Sequence, residues 1–92
     1  MPLLTPARIA ESLATLPGWQ FTGNELVQSF RFADFAAAMR FVNAVAAAAE
    51  AAGHHPDIDI RYNQVRLALS SHDAGGVTER DTALAETLSS LS

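Results

Sequence analysis

Cysteine is absent from this 92-residue chain. That removes a thiolate nucleophile, a disulfide and any cysteine-based metal site, and it leaves the redox compartment open. Lysine is absent as well, so six arginines stand against ten acids and the formal net charge is -4. With no basic block, nucleic acid and anionic membrane are set aside as principal partners. Met1-Pro2-Leu3-Leu4 lacks the charged and long apolar segments of a secretory signal, so a cytoplasmic protein is expected. Long apolar runs are scarce too. The one present, Phe35 to Ala52, is dominated by alanine and interrupted by Arg40, Asn43 and Glu50, which makes a poor membrane span.

What remains is one small domain, residues 1–92, with no internal boundary expected at this size. Such a chain buries only about 60–65% of its unfolded surface, so it gains from self-association. Thr5-Pro6 reads as a helix cap and first turn, with Ile9, Leu13 and Leu16 as its apolar stripe before Pro17-Gly18. Trp19 and Phe21, then Leu26, Gln28, Phe30 and Phe32, alternate across Gly23-Asn24 as a hairpin does. Asp34 caps the long helix to Ala52, whose sheet-facing stripe is expected to be Phe35, Met39, Val42, Ala46 and Ala49. Phe41, Val45, Ala48 and Ala52 are apolar as well, so a second side of this helix is expected to pack on another subunit.

Ile58, Ile60 and Tyr62, then Val65, Leu67 and Leu69, give a second hairpin turning at Asn63-Gln64. Asp73-Ala74-Gly75-Gly76 is a loop, and Thr78 caps a last helix with Asp81 in the place of the capping-box glutamate. The order is α-β-β-α-β-β-α. It predicts an α+β domain, a four-stranded antiparallel sheet with three helices on one face.

All three histidines fall between Glu50 and His72. A hairpin returns the chain near its starting point, so His72 is expected beside His54 and His55, with the three imidazoles around one pocket. Imidazole titrates near neutrality and can give or take a proton, which suits general acid-base chemistry. The plainer alternative is three loop histidines. A three-histidine zinc site is the sharper rival, but adjacent residues in extended backbone point to opposite sides, and no metal is expected. Glu50, one turn before His54, can accept from an imidazole. Asp81 reads as a helix cap, Trp19 and Tyr62 as core aromatics, and Ser70 and Ser71 as strand-end residues able to bond a ligand.

The spacing Glu50, three residues, His54-His55-Pro56, five residues, Tyr62, nine residues, His72, eight residues, Asp81 resembles that of the pterin-4a-carbinolamine dehydratases. Leu16-Pro17-Gly18-Trp19, Phe30 and Phe32, Tyr62-Asn63 and Thr78 to Asp81 extend the resemblance over nearly the whole chain. It implies an enzyme that removes water from a 4a-hydroxytetrahydropterin to give the quinonoid dihydropterin, with no cofactor and no metal. By position it implies His54 and His72 as proton-transfer residues and His55 as the residue that binds and orients the pterin, catalytic positions all three. It also implies Glu50 supporting the first histidine and counted with the substrate-binding residues, and Pro56 with Ser71, His72, Asp73 and Ala74 lining the site. It further implies homodimers or homotetramers through the 35–52 helix and a sheet edge. Two positions depart from animal members, Gly53 in place of an acid and Ile58 in place of an aromatic. A non-catalytic interaction module using the long helix, and a pterin-binding regulator, are the alternatives from other classes.

Overall fold

Thr5 opens the first helix, its hydroxyl accepting from the Arg8 amide at 3.2 Å, with Pro6 at the first helical position. The computed structural model describes residues 2–92. Helix α1 runs Pro6–Leu13 and stops short of the Pro17-Gly18 break. Single turns, Thr15 onto Ser12 and Leu16 onto Leu13, then carry Leu16 into the core.

Strands β1 (Gln20–Thr22) and β2 (Glu25–Arg31) are joined by Gly23 and Asn24, whose φ angles of 57° and 64° suit the twist of a tight hairpin. Strands β3 (Asp57–Arg61) and β4 (Gln64–Leu69) meet at Tyr62-Asn63, one residue earlier than the sequence suggested. The left-handed residue there is Tyr62, at φ 52°, and its ring is 66% exposed rather than in the core. Asn63 has another task. Its Nδ2 donates to the Phe32 carbonyl at 2.9 Å and its own carbonyl accepts from the Phe32 amide at 2.8 Å, which ties the turn to the end of β2.

The sheet order is β1-β2-β4-β3, antiparallel throughout. Leu26 faces Leu69, Gln28 faces Leu67 and Phe30 faces Val65, so alternate residues of the two central strands present one apolar face. Helix α2 (Phe35–Ala52) covers β4 and α3 (Glu79–Ser89) covers β2. Ile9 of α1 joins the same core, so the three helices share one face of the sheet, in the predicted order. Trp19 is buried within it, its Nε1 donating to Ser89 Oγ at 2.7 Å and its ring edge-on to Phe30 at 6.3 Å.

Helix α2 is rotated from the expected face. It buries Ala38, Phe41, Val42, Val45 and Ala49, while Ala46 is exposed and Phe35 is 51% exposed. The cause is Phe41, whose ring packs on Phe30 at 4.7 Å and on Phe32 at 5.0 Å. The face with Phe41 and Val45 at the middle of the helix buries more apolar area under the sheet than the expected one with Met39 and Ala46, and buried area sets the gain. By helical spacing, Phe35, Met39 and Ala46 lie on the flank away from α3. Ile58 and Ile60 pair with Leu67 and Val65, so they share the core-facing side of β3, yet both stay exposed. By length and composition α2 could cross a membrane, but here one face packs on β4 and α3.

Candidate active site

Helix α2 ends on Gly53 at φ 63°, an angle glycine adopts without cost. The space around Gly53 is open, so backbone angle rather than crowding selects the residue. The His54 amide donates to the Ala49 carbonyl at 3.1 Å, fixing that histidine to the helix end. Its side chain then turns inward. His54 is 9% exposed, and its Nε2 lies 2.5 Å from Oδ1 of Asp81. In the neutral imidazole tautomer that donates Nε2–H to this carboxylate, Nδ1 holds the lone pair.

Asp81 stands at the third position of α3 and is fully buried. Its Oδ2 accepts from the Thr78 amide at 2.8 Å and from Ser71 Oγ at 2.9 Å. The helix cap read from the sequence is therefore present, and it uses one oxygen of two. The other oxygen holds His54. Spacing along the chain gave no sign of this second bond, since it depends on the end of α2 lying beside the start of α3.

His55 faces the other way, as adjacent residues in extended backbone do. Its Nε2 lies 2.6 Å from Oε1 of Glu50. Glu50 therefore pairs with the second histidine, not the first. The left-handed turn at Gly53 sends His54 into the interior and leaves His55 over the last turn of α2. This pair is open to water, with side chains 65% and 79% exposed.

His72 arrives on the connection between β4 and α3. That loop is closed on itself by the Ser71 amide to the Gly76 carbonyl at 2.7 Å and the Gly75 amide to the Ser71 carbonyl at 2.9 Å. All three histidines line one open cleft of about 380 Å³, together with Gly53, Pro56, Asp57, Ser70 and Asp73. The returning hairpin does bring the late imidazole to the early pair.

Two expected lining residues are elsewhere. The Ser71 side chain points inward, bonding Asp81 and lying 2.8 Å from Thr78 Oγ1, because it completes the cap of α3. Ala74 sits in the loop turn, its amide on the Ser71 carbonyl at 3.0 Å, and does not reach the cleft. Asp57 is gained instead, and Ser70, read as able to bond a ligand, does line the cleft. Asp73 lines the cleft with Oδ1 accepting from an Arg80 terminal nitrogen at 2.7 Å. That hydrogen bond holds the Asp73 carboxyl below its ordinary value, burial opposing and the Arg80 charge assisting. Among the described residues no group of three histidine or carboxylate side chains is placed to hold a metal ion.

The arrangement joins a buried, oriented imidazole to two exposed ones around an open hollow. It can accept a proton at one nitrogen and deliver one at another to a ligand seated between them.

Known proteins share this sequence and fold. A chain from Chloroflexus aurantiacus, named as a candidate pterin-4-alpha-carbinolamine dehydratase, is 60% identical over 91 residues, covering 99% of this chain and 98% of that one. The crystal structure of a transcriptional coactivator/pterin dehydratase from Brucella melitensis superposes with a TM-score of 0.93 at 35% identity, over 97% of both chains. A pterin dehydratase-like protein described as a RuBisCO assembly factor in the alpha-carboxysome is more distant. It has a TM-score of 0.69 at 28% identity, over 80% of this chain and 88% of that one. A family model, Pterin 4 alpha carbinolamine dehydratase, matches residues 2–91, and with relatives of this identity and coverage the chain belongs to that family of lyases.

Proposed function

We propose that the cleft dehydrates a 4a-hydroxytetrahydropterin by histidine general acid-base catalysis. The observation that carries this reading is the meeting of His54, His55 and His72 at one hollow, with His54 oriented by buried Asp81. The C4a–O bond breaks as an acid protonates the leaving hydroxyl, which departs as water. A base removes the N5 proton as the C4a–N5 double bond forms, so charge and atoms balance. His54, with Nδ1 free and Nε2 held by Asp81, serves one transfer. His72, lining the same cleft, serves the other, and which imidazole is acid follows the face on which the hydroxyl stands. His55 with Glu50 orients the ring. Pro56 walls the site, and the carboxylates of Asp57 and Asp73 suit the N–H groups on the pterin's pyrimidine edge. No metal, cofactor or covalent intermediate is required.

The substrate is the product of a hydroxylation that consumes a tetrahydropterin, so the enzyme returns that cofactor to use in the cytoplasm. The decisive experiment follows absorbance of carbinolamine generated in situ, with and without the protein. His54→Ala and His72→Ala are each expected to lower the rate by roughly 10²–10⁴-fold. Full activity in both variants would end the assignment.

Self-association through α2 and the edge of β3 is part of the same reading. Phe35, Met39 and Ala46 on the helix flank, with Ile58 and Ile60 on the strand, leave an apolar shelf at the sheet edge. A dimer or tetramer would cover it. The same shelf favours the second reading, a protein-interaction module, for which the carboxysomal relative is the analogue. Light scattering after size exclusion separates them: an oligomer that Phe35→Glu dissociates supports the first, and a monomer leaves the shelf for a foreign partner.

A further inference from the structure

Helix α3 begins with two adjacent residues that grip different parts of the cleft. Asp81 holds His54 and, through Oδ2, Ser71, the residue just before His72. Arg80 holds Asp73, the residue just after His72, at 2.7 Å. His72 is thus flanked by two pinned neighbours, while its own imidazole is exposed and has no hydrogen bond among the described residues. Its position therefore depends on the backbone that carries it.

The Arg80 stem is itself held. Its side chain is half-buried and forms part of the wall of a groove of about 420 Å³ between α2 and α3, with His54, Ala51, Ala52, Ala83 and Leu84. Its Nε is buried without a partner, so the guanidinium reaches the loop through its outer nitrogen alone. A planar guanidinium on a packed stem makes a directional contact that a freely moving surface cation does not.

We infer that Arg80 is a positioning residue for His72, and that the Arg80–Asp73 pair fixes the loop so that the imidazole stays at the rim of the cleft. The inference rests on the dehydratase reading. It goes further by giving the first turn of α3 control of both proton-transfer histidines, one by direct contact and one through the loop. An exposed ion pair contributes little to global stability, so its loss should reach the site before the fold.

The test is Arg80→Met, which keeps the aliphatic stem and removes the charge. It is expected to lower kcat roughly tenfold with a smaller change in KM, since a misplaced group costs more in the transition state than in binding. In a His72→Ala background the same change is expected to add nothing, because Arg80 then has no imidazole to place. Arg80→Lys, which keeps the charge without the planar fork, is expected to recover only part of the rate. Arg8→Gln, which removes the neighbouring ion pair to Glu79, is expected to leave the rate unchanged. Multiplicative losses for Arg80→Met and His72→Ala, or an unchanged kcat in Arg80→Met, would overturn the proposal. Should Arg80→Met fail to fold, Arg80→Gln, which also removes the charge and keeps a polar end, asks the same question.

A readout free of turnover separates this proposal from the reading beneath it. Ring relaxation of His72 by NMR is expected to show greater mobility in Arg80→Met than in the unaltered protein. Inactive unaltered protein with that mobility difference would sink the dehydratase reading and keep the latch; active protein with no difference would sink the latch alone.

Discussion

The cleft contains two histidine–carboxylate pairs of nearly equal length and opposite surroundings. His54–Asp81 spans 2.5 Å with Asp81 fully buried; His55–Glu50 spans 2.6 Å in open solvent. The first pair is fixed at every polar atom but one, since Asp81 also receives Thr78 and Ser71. The second has no further protein partner among the described residues and competes with water and salt. Distance alone therefore says little about a pair's weight. In the dry setting each hydrogen bond is stronger and each broken one leaves an uncompensated group behind.

The sharpest way to break the comparison is Asp81→Asn. The amide cannot accept from His54 on one side and from Thr78 and Ser71 on the other without turning an N–H toward a donor. A loss of roughly 10²-fold or more in kcat is expected. Stability should fall by about 1–3 kcal/mol, read by urea unfolding, from the donors left unpaired. A near-normal rate in a folded variant would show that the buried pair is only a helix cap.

Glu50→Gln tests the exposed partner. A surface pair holds its members loosely, so the rate is expected to fall by less than about fivefold and thermal stability to be unchanged within error. Raising ionic strength should mimic the effect in the unaltered protein and leave Asp81-dependent activity intact. A loss as large as that of Asp81→Asn would erase the distinction between the pairs.

The smallest expected effect concerns pH. Asp73 has its carboxyl held below its ordinary value, first by the Arg80 hydrogen bond. A lowered folded-state value means the contribution is complete above the unfolded value and is lost as pH falls through the lower folded one. The difference in melting temperature between the unaltered protein and Asp73→Asn should therefore be flat from about pH 8 to pH 5, and vanish only in acid below the ordinary carboxylate range. A difference that changes near neutrality would place another group in the Arg80 contact.

Much of the design was open to reading in residue order. Thr5-Pro6, Asp34 and Thr78 cap helices where their local chemistry demands, and Gly23-Asn24 supplies the two left-handed residues of the first hairpin. Turn and cap signals act over three or four residues, so they survive whatever the rest of the chain does. The convergence of His54, His55 and His72 was also legible, because a hairpin constrains its two ends to meet. Less was visible where partners come from different elements. The rotation of α2 follows Phe41 seated on Phe30 and Phe32, a choice made by volume across three elements. Tyr62 in place of Asn63 as the left-handed residue follows from Asn63 being occupied at the end of β2.

Residue order alone determined an acidic, cysteine-free α+β domain whose three imidazoles gather at one hairpin mouth. Only the packed molecule decided which carboxylate each imidazole keeps: Asp81 for His54, Glu50 for His55, and Asp73 drawn off by Arg80. The physical reason is reach. Caps and turns are closed by neighbours along the chain, whereas the buried His54–Asp81 hydrogen bond joins surfaces that meet only after helices α2 and α3 have settled on the same sheet.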